Sequence, residues 1–199
     1  MPDGSEIDIR RGLAPGQIAA AAALYWQAFG GKLGRLMGPE ARAVDYLSRV
    51  MRADQAFCAL APDGTLVGLA GFRTPAGAFT HGSRHDMTAV YGRLGAAWRG
   101  AAWRMVAEEA EPWLFQIEGL CVEARVRGRG VGRALVEALC DEALARGHAE
   151  VRLEVSDGNM PALALYRRAG FTEAGRDRLG PLAPLFGYRG ATRMVRRLG

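Results

Sequence analysis

The fold is decided by the stretch Arg127-Gly128-Arg129-Gly130-Val131-Gly132-Arg133-Ala134-Leu135. The apolar run 113–122 before it predicts a strand, and the helical spacing of apolar residues in 134–144 after it predicts a helix. Glycines let the backbone come close to a ligand, and their N–H groups join the unpaired donors of a helix N-terminus. We therefore expect this turn to bind a phosphate group, with its three arginines adding positive charge.

Two common phosphate-binding motifs are absent from this turn. A G-x-G-x-x-G dinucleotide fingerprint would need glycine at position 133 or 135, where Arg133 and Leu135 stand, and the chain has no Gly-Lys-Ser/Thr. The pattern that fits is Arg-x-x-Gly-x-Gly, formed by Arg127, Gly130 and Gly132. It resembles the pyrophosphate-binding turn of the GNAT superfamily of acyl-CoA-dependent N-acetyltransferases. The alternative is a loop that merely turns a strand into a helix.

A second segment favours the coenzyme-binding interpretation. The alternation in 151–156 predicts a strand, which is followed by Asn159, Ala162, Leu165-Tyr166 and Gly170-Phe171. This segment is similar to the second GNAT signature, Asn-x-x-Ala-x-x-Leu-Tyr-x-x-x-Gly-Phe. Both motifs occur in the family's order, at a distance that suits one helix and one short strand. The chain is therefore identified as a member of this superfamily.

The resemblance implies an α/β (α+β) GNAT fold. Its central sheet would be mixed but mostly antiparallel, with six to seven strands, splayed at the central strand and flanked by helices. The sequence predicts strands at 6–11, 56–61, 65–73, 113–122, 151–156, 171–179 and 191–198. It predicts a first helix that begins near Pro15, carries Tyr25 on its inner face and ends at Gly30-Gly31. With 199 residues and no internal repeat, we expect a single domain over 1–199.

Residues 84–110 depart from the family, which joins the corresponding strands by a tight hairpin. Their pattern predicts a helical insertion before the central strand, and the glycines at 92, 95 and 100 suggest breaks in it. The predicted apolar stripe consists of Val90 or Tyr91, Leu94, Trp98, Ala102 and Met105. The insertion could cover otherwise exposed core, close over the acceptor as a lid, or form a dimer interface.

Charge is unevenly distributed along the chain. Residues 1–122 contain 12 acidic and 12 basic residues, whereas 123–199 contain 9 and 14, which gives the net charge of +5. A basic half suits the phosphates of coenzyme A. Nucleic acid is the alternative partner, but no aromatic residues alternate with the arginines as a stacking surface would require.

Other features of the composition narrow the class of protein. No apolar run approaches the length of a membrane span, and residues 1–12 do not resemble a signal peptide, so we expect no membrane association. Three cysteines in apolar settings favour free thiols in a reducing cytosol. The three histidines are scattered, so no metal site is expected. These observations predict a cytoplasmic protein.

The resemblance also implies which residues bind the coenzyme. Backbone groups of Leu120, Cys121 and Val122 would hold the pantetheine and the thioester. The pyrophosphate would bind to the turn residues Arg127, Gly128, Arg129, Gly130, Val131, Gly132 and Arg133. Asn159 matches the asparagine that contacts the coenzyme in the family, although it could equally be a helix N-cap.

Two residues are candidates for proton transfer. By resemblance, Tyr166 protonates the leaving thiolate; the alternative is an ordinary core tyrosine. Glu118 is the only acid inside the central strand and is predicted to share a face with Leu120 and Val122, where burial would raise its pKa towards that of a base. Alternatively, it binds the acceptor's ammonium or an arginine without proton transfer. Cys121 is predicted on the opposite face, as a core residue.

These observations predict an N-acetyltransferase that transfers an acetyl group from acetyl-CoA to a primary amine in one ternary complex. The alternative is a non-catalytic acyl-CoA-binding module. The acceptor groove is expected between the N-terminal helices, the insertion and the segment 180–190, which contain few acids apart from Asp86; Glu118 lies beside them in the central strand. We therefore favour a small-molecule or peptide amine over a polycation. A homodimer is possible.

Overall fold

A computed structural model describes residues 7–104, 114–180 and 183–199. Its strands are β1 Asp8–Arg11, β2 Ala56–Leu60, β3 Leu66–Thr74, β4 Gly77–Ala78, β5 Phe115–Val122, β6 Glu150–Ser156, β7 Thr172–Arg178 and β8 Gly190–Arg197. They form one sheet in the order β1-β2-β3-β5-β6-β8-β7, with β4 paired to β3. All pairs are antiparallel except β5 with β6. The mixed, mostly antiparallel sheet is confirmed, and the two-residue β4 is an addition to it.

Helices cover both faces of this sheet. They are α1 Ile18–Met37, α2 Glu40–Val50, α3 Arg84–Arg104, α4 Val131–Ala145, α5 Met160–Arg168 and α6 Ala183–Phe186. One core lies under α4 and α5, where Phe72 stacks on Phe115 at 4.9 Å between ring centroids. A second core lies under α1 and α2. The mostly apolar sequences of β2 and β3 follow from this cover on both faces. In the described ranges, no helix is both long and apolar enough to span a membrane.

The central strand β5 separates from its parallel neighbour β6 partway along its length. The two strands pair at Phe115–Val151, Gln116–Arg152 and Ile117–Leu153, and their pairing ends there. Towards its C-terminal end, β5 remains paired only with β3. This confirms the predicted splay and opens a wedge between the last residues of β5 and β6. The predicted strand began at residue 113, which lies outside the described residues.

A β-bulge in β5 corrects the predicted assignment of its faces. Ile117 pairs with Phe72 and Gly119 pairs with Gly71, so Glu118 is an extra residue that shifts the register. Ile117 packs in the α4 core before the bulge. After the bulge, Leu120 and Val122 pack in that core, while Cys121 packs against α1 and α2. The prediction that Glu118 shares a face with Leu120 and Val122 is therefore wrong.

Helix α1 also extends further than predicted, through Gly30 and Gly31 to Met37. The Trp26 ring packs over Gly30, where an added Cβ would lie 2.8 Å from Trp26 Cε2. Beyond the glycines, Leu36 and Met37 are buried against α2, α3 and α6. A glycine costs a helix about 1 kcal/mol, whereas burying one leucine stabilises by about 1.5–3 kcal/mol. Packing therefore outweighs the local signal that predicted a helix end.

The insertion forms α3, which covers the ends of α1 and α2. Tyr91 and Ala102 pack in a third core with Leu36 and Phe186, which supports the covering role among the alternatives. Gly92 has a φ of 70°, so the helix is broken there as predicted. The break changes the helical phase. The predicted stripe is confirmed at Tyr91 and Ala102, which are buried, and wrong at Leu94 and Trp98, which are 87% and 44% exposed. Met105 and the rest of the insertion lie outside the described residues.

Side chains of α3 bind the last carbonyl groups of α1. Arg99 Nε donates to Leu36 O at 2.7 Å, and the Tyr91 hydroxyl donates to Met37 O at 2.5 Å. The Arg99 guanidinium also lies over the Tyr91 ring, 4.0 Å from its centroid. A positive charge at a helix C-terminus interacts favourably with the helix dipole. Arg99 therefore fastens the insertion to the end of α1.

We expect Arg99→Ala to lower the free energy of unfolding by about 1–3 kcal/mol, because α1 loses a charged donor at its end. Urea denaturation followed by circular dichroism measures this change. Arg93→Ala is the matched control, since Arg93 is an exposed arginine of the same helix. Equal stability of the two variants would contradict the anchoring role.

Candidate active site

The predicted phosphate-binding turn connects the end of β5 to the start of α4. Gly128 and Gly130 adopt left-handed conformations, with φ of 78° and 84°, which only glycine adopts without strain. The first bond of the α4 ladder runs from Ala134 N–H to Gly130 O at 3.0 Å. The N–H groups of residues 131–133 therefore precede the ladder, at the positive end of the helix dipole. This arrangement fits a bound anion.

The turn brings both sequence motifs together at the wedge. An added Cβ on Gly132 would lie 3.3 Å from Leu165 Cδ2 and 3.7 Å from Leu120 Cδ2. The first turn of α4 therefore lies against α5 and against the splayed part of β5. The Val131 side chain is buried in the core, so only its backbone can contact a ligand.

The three arginines of the turn are exposed, but they are not equivalent. Arg127 Nε donates to Val122 O at 3.0 Å and so holds the turn against the end of β5. Arg133 lies 3.9 Å from Glu137, one helical turn away. Arg129 carries its charge on the exposed part of the turn. All three place positive charge around the start of α4, and their role towards a coenzyme stays a prediction.

The splayed part of β5 supplies the predicted backbone contacts. Leu120, Cys121 and Val122 pair with β3 on one side, opposite Ala70, Leu69 and Gly68, and pair with no strand residue on the other side. Backbone groups that point away from β3 therefore face the wedge. An extended ligand with amide groups, such as a pantetheine chain, could pair with them as a strand would.

Tyr166 is buried on α5, and its ring meets Phe171 edge-on at 5.7 Å. Burial raises the pKa of its phenol strongly, and the nearby Cys121 thiol raises it further. Burial likewise raises the pKa of Cys121 to about 12. Both groups therefore keep their protons at neutral pH. Tyr166 can donate a proton or a hydrogen bond beside the wedge, and Cys121 is not a nucleophilic thiolate.

Asn159 is the N-cap residue of α5. Capping was the alternative to the predicted contact between Asn159 and the coenzyme. Its Oδ1 accepts from Ala162 N–H at 3.4 Å. This bond engages the carbonyl oxygen and leaves the side-chain amide donors for a ligand. The coenzyme contact predicted for Asn159 stays a prediction that is compatible with its capping role.

Glu118 points away from the α4 core, and both its oxygens have partners. Arg73 Nε donates to Oε1 at 2.8 Å and Arg73 Nη2 lies 2.6 Å from it, while Thr80 N–H donates to Oε2 at 3.2 Å. The Glu118 side chain is 8% exposed. This ion pair supports the alternative in which Glu118 binds an arginine rather than takes a proton.

Tyr25 is a candidate site residue that the sequence analysis placed only on the inner face of the first helix. Burial raises the pKa of its phenol strongly, with further contributions from Glu118 and Cys121. An added Cβ on Gly119 would lie 2.8 Å from the Tyr25 ring, so the ring rests on the backbone of the bulge. The Cys121 thiol therefore raises the pKa of both Tyr25 and Tyr166. Tyr25 is a candidate site residue because its ring contacts the bulge. Helical periodicity in the sequence could not predict this contact.

A second carboxylate that the sequence analysis did not single out lies on β6. Glu154 follows Leu153, the last β6 residue that pairs with β5, and it pairs with Arg193 of β8. The Tyr188 phenol has a raised pKa because of burial and because of the Glu154 charge. Across the described part of the chain, no group of His, Cys, Asp and Glu is arranged to hold a metal ion.

Comparisons with known proteins agree with this geometry. Residues 18–171 match the family described as the Acetyltransferase (GNAT) family. A mycothiol acetyltransferase from Clavibacter sepedonicus is 40% identical over 98 residues, which cover 43% of this chain and 32% of that protein. The [ribosomal protein bS18]-alanine N-acetyltransferase of Escherichia coli (strain K12) is 43% identical over 74 residues, covering 37% of this chain and 47% of that protein. The chain thus spans less than half the length of these relatives.

A crystal structure of an N-acetyltransferase from Staphylococcus aureus Mu50 shares the fold. Its TM-score is 0.68 at 16% identity, with 94% of this chain and 99% of that chain covered. The similarity extends over nearly the whole of both chains.

We expect Gly130→Asp to weaken acetyl-CoA binding by at least about 100-fold, measured by isothermal titration. The side chain strains a left-handed position and repels phosphate, and the loss of two charge-assisted hydrogen bonds alone would cost about 3 kcal/mol. Gly147→Asp is the matched control, because Gly147 has a φ of 80° at the opposite end of the same helix. Near-normal affinity in a folded Gly130→Asp variant, or an equal loss in Gly147→Asp, would contradict the assignment.

Proposed function

The chain belongs to the Acetyltransferase (GNAT) family, and we propose that it transfers an acetyl group from acetyl-CoA to a primary amine of a small molecule or peptide. The observation that carries this proposal is the wedge between β5 and β6 with the phosphate-binding turn at its edge. We further propose that 1–199 acts as one domain and that transfer takes place in a single ternary complex.

The wedge and the turn account for coenzyme binding. The N–H groups before the α4 ladder and the arginines around them would hold the pyrophosphate. The backbone of Leu120, Cys121 and Val122 would pair with the pantetheine, which brings the thioester towards Tyr166. Acetyl-CoA supplies an activated acetyl group and a thiolate leaving group.

The residues around the wedge then serve the transfer. The neutral amine forms a bond to the acetyl carbon, the carbon–sulfur bond breaks, and the sulfur leaves with its electron pair. Backbone donors of splayed β5 stabilise the carbonyl oxygen as it gains negative charge. Tyr166 delivers a proton to the sulfur, the amine loses its extra proton to solvent, and the resulting Tyr166 phenolate takes a proton back from solvent. A phenol with a raised pKa stays protonated through the neutral range, so the donor is always present.

The names of the relatives bear on the acceptor. One relative is named for mycothiol and another for the alanine of ribosomal protein bS18. Both are compatible with a small-molecule or peptide amine for this chain. A cytoplasmic location and a homodimer stay predictions, and sedimentation equilibrium would detect self-association.

The test is release of free coenzyme A from acetyl-CoA across a panel of amines, with Tyr166→Phe as the decisive variant. We expect its kcat to fall about 10²–10⁴-fold, because the thiolate loses its proton donor, while acetyl-CoA affinity is retained. Since the pKa of Tyr166 is raised, parent activity should not decline through ionisation of this group below its ordinary pKa of about 10.

Tyr46→Phe serves as the matched control, since Tyr46 is a tyrosine of α2 in the third core. An unchanged kcat in Tyr166→Phe would assign the proton donor to water or to another residue. Acetyl-CoA binding without coenzyme release for any amine would instead support the non-catalytic binding module.

Glu118→Gln separates the two roles of that residue. We propose that Glu118 holds Arg73 and the Thr80 backbone in place, so the variant should lose about 1–2 kcal/mol of unfolding free energy and keep its kcat within a few-fold. Asp45→Asn is the matched control, because it removes an exposed ion pair with Arg49 worth about 0.3–0.5 kcal/mol. A kcat loss above about 100-fold with unchanged stability would restore the role of base.

A further inference from the structure

Lys32 is the only lysine in the chain, which otherwise uses arginine for its basic residues. It lies in the part of α1 beyond the two glycines, and its side chain is half-buried. Its Nζ donates to Ser156 Oγ at the end of β6 and lies 5.8 Å from the centroid of the Phe29 ring. A single lysine is thus held against a buried serine hydroxyl where α1 crosses the edge of the wedge.

Within 7–104, 114–180 and 183–199, no carboxylate forms an ion pair with Lys32. Among the described residues, none of the ion pairs within 4.0 Å involves Lys32. Burial lowers the pKa of its ammonium. A partly buried cation without an anion is unfavourable, and a bound anion would remove this cost. Ser156 accepts the lysine bond, so its own proton can still donate to an oxygen of a ligand.

This position belongs to the acceptor side of the wedge. The Phe29 ring beside Lys32 also contacts the Tyr25 ring at 4.5 Å, and it lies 3.4 Å from an added Cβ on Gly119. One aromatic side chain therefore separates the ammonium from the bulge of β5. Gly187 packs on the backbone of Lys32 from the other side, where an added Cβ would lie 3.4 Å from Lys32 Cα. Lys32 thus lies where α1 meets the segment around Gly187, and both belong to the elements expected to form the acceptor groove.

The face of β6 that carries Ser156 also carries a negative charge, which belongs to Glu154. Glu154 precedes Ser156 by two residues, so both side chains lie on one face of the strand, about 7 Å apart along it. The Glu154 charge also raises the pKa of the Tyr188 phenol, and Tyr188 follows Gly187 in the chain. The charge of Glu154 therefore lies on the same strand face as the Lys32–Ser156 contact.

We propose that Lys32 and Ser156 form a carboxylate-binding subsite, so that the acceptor is a small amine bearing a carboxylate, such as an amino acid. This inference rests on the proposed acetyl transfer and narrows its substrate class. Lys32 and Ser156 would bind the carboxylate oxygens, which orients the amine towards the thioester in the wedge. A single ammonium and one hydroxyl match the single charge and two oxygens of a carboxylate.

The kinetic test compares acceptors that differ only in this group. Pairs of amino acid and carboxamide, such as glycine with glycinamide and β-alanine with β-alaninamide, are assayed for coenzyme A release. The measured quantity is the ratio of kcat/KM for the acid to kcat/KM for the amide. Comparing this ratio between parent and variant cancels the different basicities of the two amines.

We expect Lys32→Gln to lower this ratio about 10- to 100-fold, which corresponds to the loss of one charge-assisted hydrogen bond. Lys32→Arg should restore most of the ratio because it keeps the charge. Arg10→Gln, which removes an exposed cation of the edge strand β1, should leave it unchanged. An equal ratio in the parent protein and Lys32→Gln would overturn the proposed subsite. Release of coenzyme A in the same assay would still support the proposed acetyl transfer.

A second measurement is independent of turnover. Because the chain has one lysine, protein labelled with ¹³Cε-lysine and free of a lysine-containing tag gives one lysine side-chain signal. Its pH titration reports the pKa of Lys32, which should rise when glycine or β-alanine binds in the presence of coenzyme A. The corresponding amides should cause no rise. If no amine releases coenzyme A, the proposed transfer fails, and this titration alone decides the subsite: an unchanged pKa with every amino acid overturns it.

Discussion

The structure depends on the separation of β5 from β6 in the middle of a covered sheet. Strand backbone groups in such a place normally pair, because a buried donor or acceptor without a partner costs about 1–3 kcal/mol. Here the pairing ends at Ile117 and Leu153, and the strands continue without it. The rest of the molecule surrounds this opening: α4 begins at its edge, α5 flanks it beside β6, and α1 covers the other face. A fold that leaves this gap is suited to a ligand whose amide groups complete the sheet.

The parts that the sequence predicts well are those that depend on local geometry. The turn 127–133 and the segment 159–171 each act through residues a few positions apart, so spacing alone indicates their conformation. The extension of α1 past Gly30 and Gly31 depends instead on contacts with α3 and α6, which lie far away in sequence. The exposed Leu94 has the same origin, because the left-handed Gly92 changes which side of α3 faces the core. The length of α1 and the exposure of Leu94 both depend on packing between segments that are distant in sequence. Local sequence patterns therefore could not predict either feature.

The candidate site shows how much one inserted residue can change. Strict alternation along β5 would place Glu118 with Leu120 and Val122, and the base assignment followed from that face. The bulge reverses the alternation, so Glu118 instead meets Arg73 and Thr80. Register is fixed by pairing with β3, where Gly71 gives room for the Phe79 ring over the bulge. The partners of Glu118 therefore could not be predicted from alternation along the strand, and its role in transfer stays a prediction.

The environment of Cys121 bears on the choice between direct transfer and a covalent acyl-enzyme. Thiolate is the nucleophilic form of cysteine, and burial, which raises the pKa of Cys121 to about 12, keeps this thiol protonated at pH 7. An acyl-enzyme route would also need a base for this thiol. The groups that interact with it electrostatically are two phenols that keep their protons, Tyr25 and Tyr166, and the Arg127 cation, which lowers its pKa less than burial raises it. The same buried surroundings suit a phenol that donates to a departing thiolate. One low-dielectric environment therefore suppresses the covalent route and preserves the proton donor, which favours transfer directly from thioester to amine.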